Sequence, residues 1–145
     1  SMTITSQPIT TDMHISGLPT LHIDARTNMC NGGQLFVTMY DGTSGLRLGH
    51  ATMDVRYRDG GYDALPTSPM TSYRMLMEFN PMDVIVPKGH TLQLVVTETG
   101  EDYLPSPCAS LGMTIFAGYQ VLTLPTLDRP IAHDNWFNVP VWWDE

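Results

Sequence analysis

Apolar and polar residues alternate with a period of two along most of this chain, and turn-forming residues interrupt the alternation at intervals of roughly ten. Leu21, Ile23 and Ala25 point one way while Thr20, His22 and Asp24 point the other. The stretch 34–40 repeats the pattern, with Leu35, Val37 and Met39 opposed to Phe36, Thr38 and Tyr40. Asp41-Gly42-Thr43-Ser44-Gly45 then reads as a turn, because Asp and Gly tolerate positive φ. A long strand is predicted over 46–58, with Met53, Val55 and Tyr57 on one side and Asp54, Arg56 and Arg58 on the other. Asp59-Gly60-Gly61 ends it, and 62–71, with Pro66 and Pro69, reads as a loop.

The second half continues in the same manner. A strand over 72–79 places Tyr73, Met75, Met77 and Phe79 on one face, and Asn80-Pro81 breaks it, since proline has no N–H for a ladder. Val84-Ile85-Val86 is a short apolar run closed by Pro87-Lys88-Gly89. The stretch 91–98 carries Leu92, Leu94 and Val96 as its apolar face. A polar loop over 99–110 precedes two last strands at 111–117 and 119–124, and Pro125 closes the set. No segment shows an apolar stripe of helical period. About eight short strands in one domain predict an all-β, two-sheet sandwich of the jelly-roll or Greek-key kind.

Length agrees with that picture: 145 residues and 16.1 kDa suit one domain with one core, and no internal linker divides 1–145. The beginning, Ser1-Met2, lacks the basic and apolar regions of a signal peptide and reads as a remnant of cloning. Residues 126–145 form an unusual tail that holds all three tryptophans, Trp136, Trp142 and Trp143, beside Phe137, Val139 and Val141. So apolar a tail must pack on something: its own sandwich, a missing domain, or a sugar face.

Charge narrows the partners. Fifteen acids against seven bases leave a formal charge of -8, with Lys88 the single lysine. Such a surface repels phosphate backbones and anionic membranes, so nucleic acid is excluded as an expected partner. No apolar run reaches the length of a membrane span. Few charges, one lysine and abundant Thr, Gly and Pro favour an extracellular, periplasmic or cell-surface setting. Cys30 and Cys108 admit one pairing; in an oxidising compartment a bridge closing roughly 80 residues would contribute about 4 kcal/mol. Two buried thiols are the other reading.

Catalytic chemistry is hard to find. There is no Gly-x-Ser-x-Gly elbow, and the nearest string, Gly42-Thr43-Ser44-Gly45, is a hairpin turn by its flanks. The histidines at 14, 22, 50, 90 and 133 follow no metal or triad spacing. Glu98, Glu101 and Asp102 cluster near a strand end, and Asp24 and Asp41 end other strands. Oxygen ligands of that kind hold structural calcium in some jelly rolls, but a solvated surface is the favoured reading and no cofactor is expected. As a sugar-binding module, the chain would stack Trp136, Trp142, Trp143 or Tyr103 on carbohydrate and hydrogen-bond hydroxyls through Asp102 or Glu101.

One ordered set of motifs is more specific. It begins with Val55-Arg56-Tyr57-Arg58-Asp59 and continues with Glu78-Phe79-Asn80-Pro81, Val84-Ile85-Val86-Pro87-Lys88-Gly89-His90 and the alternating strand after it. Together with Ile15-Ser16-Gly17-Leu18-Pro19 and Leu122-Thr123-Leu124-Pro125, this set resembles the C-terminal domain of the X-Pro dipeptidyl-peptidase and cocaine-esterase (CocE/NonD) family of serine hydrolases. The likeness extends over about 120 residues by motif order. It implies a galactose-binding-like jelly roll packed against an α/β-hydrolase domain that holds the Ser-His-Asp triad and is absent from this chain. It therefore transfers no catalytic residue. Asn80 stands where the family often has an aromatic, and Tyr103-Leu104-Pro105-Ser106-Pro107 departs from the esterase pattern, leaving peptidase and esterase parents both open. In physical terms Arg56, Arg58, Pro81, Gly89 and His90 are structural: strand-face charges that pair with acids such as Asp54 or Glu78, and residues that shape turns. The expected role is that of an accessory domain that steadies the hydrolase, shapes its active-site entrance or mediates homo-oligomerisation. A carbohydrate- or surface-binding module is the alternative.

Overall fold

A computed structural model describes residues 2–27, 34–54, 73–97, 113–115, 121–127 and 131–133. These residues form eleven strands and no helix: β1 (Met2–Thr5), β2 (Met13–Gly17), β3 (Thr20–Thr27), β4 (Gln34–Asp41), β5 (Arg47–Asp54), β6 (Tyr73–Glu78), β7 (Met82–Val86), β8 (Leu92–Thr97), β9 (Met113–Ile115), β10 (Val121–Leu124) and β11 (Ile131–His133). Accordingly, no helix among the described residues is long and apolar enough to cross a membrane.

Two sheets carry the architecture. The first runs β1-β8-β4-β5, and the second runs β11-β10-β3-β6, with β9 also paired to β3. Every pairing is antiparallel. Strand alternation decides which face is buried. Ile4, Val37, Met39, Leu94 and Val96 of the first sheet join Leu21, Ile23, Met75, Met77 and Leu122 of the second in one apolar cluster. Burying each such side chain is worth about 1.5–3 kcal/mol relative to leaving it exposed. The all-β sandwich expected from the pattern is thus the observed fold. Methionine is prominent in that cluster, where its unbranched chain fills the irregular gap between two twisted sheets.

Three features were not evident from periodicity. Met2, assigned above to a cloning remnant, pairs with Val96 in β1 and is buried. The chain from 13 to 27 forms two strands, broken at Leu18-Pro19 after Gly17 takes φ 127°. β2 leaves the main sheets and pairs with β7 in a separate ribbon. The ribbon's inner residues, Ile15, Met82 and Val86, still belong to the core. Its other edge meets the start of the C-terminal tail: Thr126 bridges to Ile15, and the Leu127 N–H donates to the His14 carbonyl at 3.3 Å.

β5 ends at Asp54 within the described residues, so the remainder of the strand expected over 46–58 lies outside them, as does the loop over 62–71. Gly49 explains how β5 approaches its neighbours. A Cβ there would stand 2.4 Å from Met82 Cε and 2.8 Å from Asn80 Oδ1, so only hydrogen fits without a shift. Asn80 is fastened at that spot. Its Oδ1 accepts the His50 N–H at 2.7 Å, and its own N–H donates to the His50 carbonyl at 3.1 Å. The Asn80-Pro81 break is therefore a clamp from the end of β6 onto β5.

Candidate functional site

The most organised polar group among the described residues lies where two turns meet at one end of the first sheet. The β4–β5 hairpin turns through Asp41 to Leu46, with Gly45 at φ 79°. The Asp41 carboxylate Oδ1 accepts the backbone N–H groups of Thr43 at 2.9 Å and Ser44 at 3.0 Å, the mechanism that makes aspartate a turn residue. A second turn, Pro87 to His90, carries Gly89 at φ 86° and closes with the His90 N–H on the Pro87 carbonyl at 3.1 Å. The Asp12 carboxylate caps it by accepting the Lys88 N–H at 2.8 Å.

These turns are pinned together by His90, whose Nδ1 donates to Asp41 Oδ2 at 2.7 Å. The Asp41 side chain is only 5% exposed and that of His90 is 29% exposed. Around the pair, the Gly42 N–H donates to the Thr91 carbonyl at 2.8 Å and the Thr91 N–H to Thr43 Oγ1 at 3.1 Å. Close approach is possible because Gly42 lacks a Cβ, which would sit 2.6 Å from Thr91 Oγ1. The segment before β2 is stitched to the same region. Ile9 exchanges backbone hydrogen bonds with Gly89 and His90, and Ser6 Oγ accepts the Leu92 N–H at 2.8 Å. Burial pushes the Asp41 carboxyl up, but the His90 hydrogen bond, the Ser44 and Thr43 N–H groups and the His90 charge outweigh it. The net effect holds Asp41 below its usual value.

A second histidine–carboxylate pair lies on the ribbon, where His14 Nε2 meets Asp83 Oδ1. This one is open: the Asp83 side chain is 78% exposed. Among the described residues, no serine, threonine or cysteine side chain bonds either histidine. Each pair is therefore a carboxylate-oriented imidazole with no nucleophile beside it, an arrangement that can pin two segments together but cannot by itself attack a carbonyl. No cluster of three or more His, Cys, Asp or Glu residues suitable for a metal occurs among the described residues.

Of the residues singled out from sequence, Pro81, Gly89 and His90 can be placed, and all three shape or fasten turns. Asp24, expected to end a strand, instead lies within β3, which continues to Thr27, and accepts a hydrogen bond from Arg74 Nε at 3.0 Å across the β3–β6 pair. Asp41, another of them, is a turn cap. Trp136, Trp142, Trp143, Tyr103, Asp102, Glu101, Glu98, Cys30, Cys108, Arg56 and Arg58 lie outside the described residues. The pairing of Asp41 with His90 was missed. The signal was present in Asp-Gly and Pro-x-Gly-His, both turn motifs, but nothing local says that the two turns touch.

Similarity to known proteins agrees with this geometry. The family described as the X-Pro dipeptidyl-peptidase C-terminal non-catalytic domain matches residues 1–115. A Streptomyces avermitilis protein assigned as an Xaa-Pro dipeptidyl-peptidase is 25% identical over 138 residues, covering 79% of this chain and 20% of that protein. A CocE/NonD family hydrolase from Staphylococcus aureus superposes with a TM-score of 0.64 at 14% identity, over 86% of this chain and 30% of that one. An α-amino acid ester hydrolase superposes with a TM-score of 0.60 at 17% identity, over 97% of this chain and 25% of that one. The two structural likenesses establish the fold, and the chain spans only a fifth to a third of the proteins it resembles. By the match across most of its length, this chain belongs to the family of X-Pro dipeptidyl-peptidase C-terminal non-catalytic domains.

Proposed function

We propose that this domain is the accessory β-sandwich of a larger serine hydrolase, either an X-Pro dipeptidyl-peptidase or a related esterase. In this reading it packs on the α/β-hydrolase domain and steadies it around the active-site entrance. The galactose-binding-like jelly-roll class and an extracytoplasmic setting are parts of the same proposal. The observation that carries it is the match of residues 1–115 to a family described as non-catalytic. The fold supports it: among the described residues, the polar node of Asp41 with His90 serves to hold two turns together.

The test is a deletion in the parent protein. Removing this domain should shorten the half-life of hydrolase activity on heating, while the isolated domain should turn over neither X-Pro nor ester substrates. Undiminished heat stability and unchanged kcat/KM after deletion would defeat the proposal.

A further inference from the structure

The outer face of the β2–β7 ribbon presents an apolar row that nothing in the described fold covers. In the antiparallel register His14 stands opposite Ile85, and Ile15 opposite Val84. Successive side chains on a strand point to opposite faces, so Ile15 goes inward, where it is 0% exposed, and His14 with Ile85 goes outward. On the other side of β2, Leu127 sits beside His14 through its backbone hydrogen bond. The row Ile85–His14–Leu127 thus crosses three chain segments, with Ile85 62% and Leu127 66% exposed. Pro125 and Ser16 continue the face, since the Ser16 N–H donates to the Pro125 carbonyl at 2.9 Å. Asp83 holds the His14 ring from the next row.

Singly exposed leucines are ordinary, but two large aliphatic groups aligned across adjacent segments, with an anchored ring between them, form a patch. We infer that this face docks on the hydrolase domain of the same parent chain, an inference that rests on the accessory reading above. The choice of occupant follows from length. The match covers 20% of the Xaa-Pro dipeptidyl-peptidase relative and 30% of the CocE/NonD hydrolase, so most of each such protein lies elsewhere and is a permanent neighbour. The complementary surface is apolar at its centre and carries a basic or hydrogen-bond-donating group opposite Asp83.

Photo-cross-linking in the intact parent protein tests this directly. With p-benzoylphenylalanine replacing Ile85 or Leu127, mass spectrometry should find cross-links to hydrolase-domain peptides of the same chain. The same probe at Leu46, 61% exposed near the end of the β4–β5 turn, should give none. Ile85→Asp combined with Leu127→Asp should shorten the half-life of hydrolase activity on heating by about ten-fold, because the new carboxylates would be buried without partners. Leu46→Asp should change that half-life by less than about two-fold. Cross-links from Leu46 with none from Ile85 or Leu127 would overturn the surface and leave the accessory reading intact. Cross-links to a second copy of the protein would overturn it in favour of a homo-oligomer interface. Absence of hydrolase-domain cross-links from both Ile85 and Leu127 would overturn the surface, and the accessory reading would fall with it only if deleting the whole domain also left heat stability and kcat/KM unchanged.

Discussion

His90 with Asp41 and His14 with Asp83 are the same chemical pair in two settings, and burial separates their roles. Asp41 is closed in by two turns and accepts three hydrogen bonds, from His90, Thr43 and Ser44. Asp83 stands on the open face of a ribbon. A carboxylate in water loses little when one partner goes, because solvent replaces it. A carboxylate shut inside a turn, once removed, leaves donors with nothing to bond. The first pair therefore belongs to the fold and the second to the surface, although by residue type alone they are indistinguishable.

That contrast is sharpest in substitutions. Asp41→Ala should cost about 3 kcal/mol in urea unfolding, since it strands the Thr43 and Ser44 N–H groups and the His90 ring. Asp83→Ala should cost less than about 1 kcal/mol. Equal losses would show that burial does not separate the pairs. Next in size is Gly49→Ala, expected to cost about 2 kcal/mol: the Met82 methyl can swing aside, but Asn80 Oδ1 is tied to His50. Gly89→Ala meets no atom within 4 Å and should cost only about 1 kcal/mol, the strain of a side chain at φ 86°.

Acid should expose the same difference. The Asp41 carboxyl is held below its ordinary value near 3.8 in the folded protein, so its contribution is fully present above that value. The contribution fades as pH falls through 3.8 toward the lower folded value, because protonation then becomes easier in the unfolded chain. Wild-type protein should lose stability across that window, and Asp41→Asn should flatten that part of the profile. Parallel profiles would remove the assignment. The smallest effect should come from Arg74→Ala, which breaks an exposed cross-strand pair with Asp24 and should shift stability by no more than about 0.5 kcal/mol.

Much of the sandwich was legible because β structure has a local signature. Leu21 and Ile23, Leu35, Val37 and Met39, Met75, Met77 and Phe79, and Leu92, Leu94 and Val96 were all read as inward from alternation, and all are buried. The breaks at Asp41-Gly42, Asn80-Pro81 and Pro87-Lys88-Gly89 were legible too, since glycine and proline punctuate a chain through their own φ limits. β1 escaped because four residues at a terminus carry too short an alternation to read. Gly49 was equally silent: its meaning lies in Met82 and Asn80, more than thirty positions away.

By itself, then, the sequence determined the strands, their inward faces and their turns, and its motif order carried the family. Each of these depends on neighbours in the chain, through period-two geometry and residue-specific dihedral limits. The tertiary structure alone decided that β2 leaves the main sheets to pair with β7, and that the turn after β4 meets the turn before β8. It alone set Ile85 and Leu127 on either side of His14. Strand pairing is a choice among distant partners, made by closing one core and satisfying every buried N–H and carbonyl at once. No local pattern encodes that choice, which is why Asp41 and His90, forty-nine positions apart, read as two isolated residues until the fold brought them together.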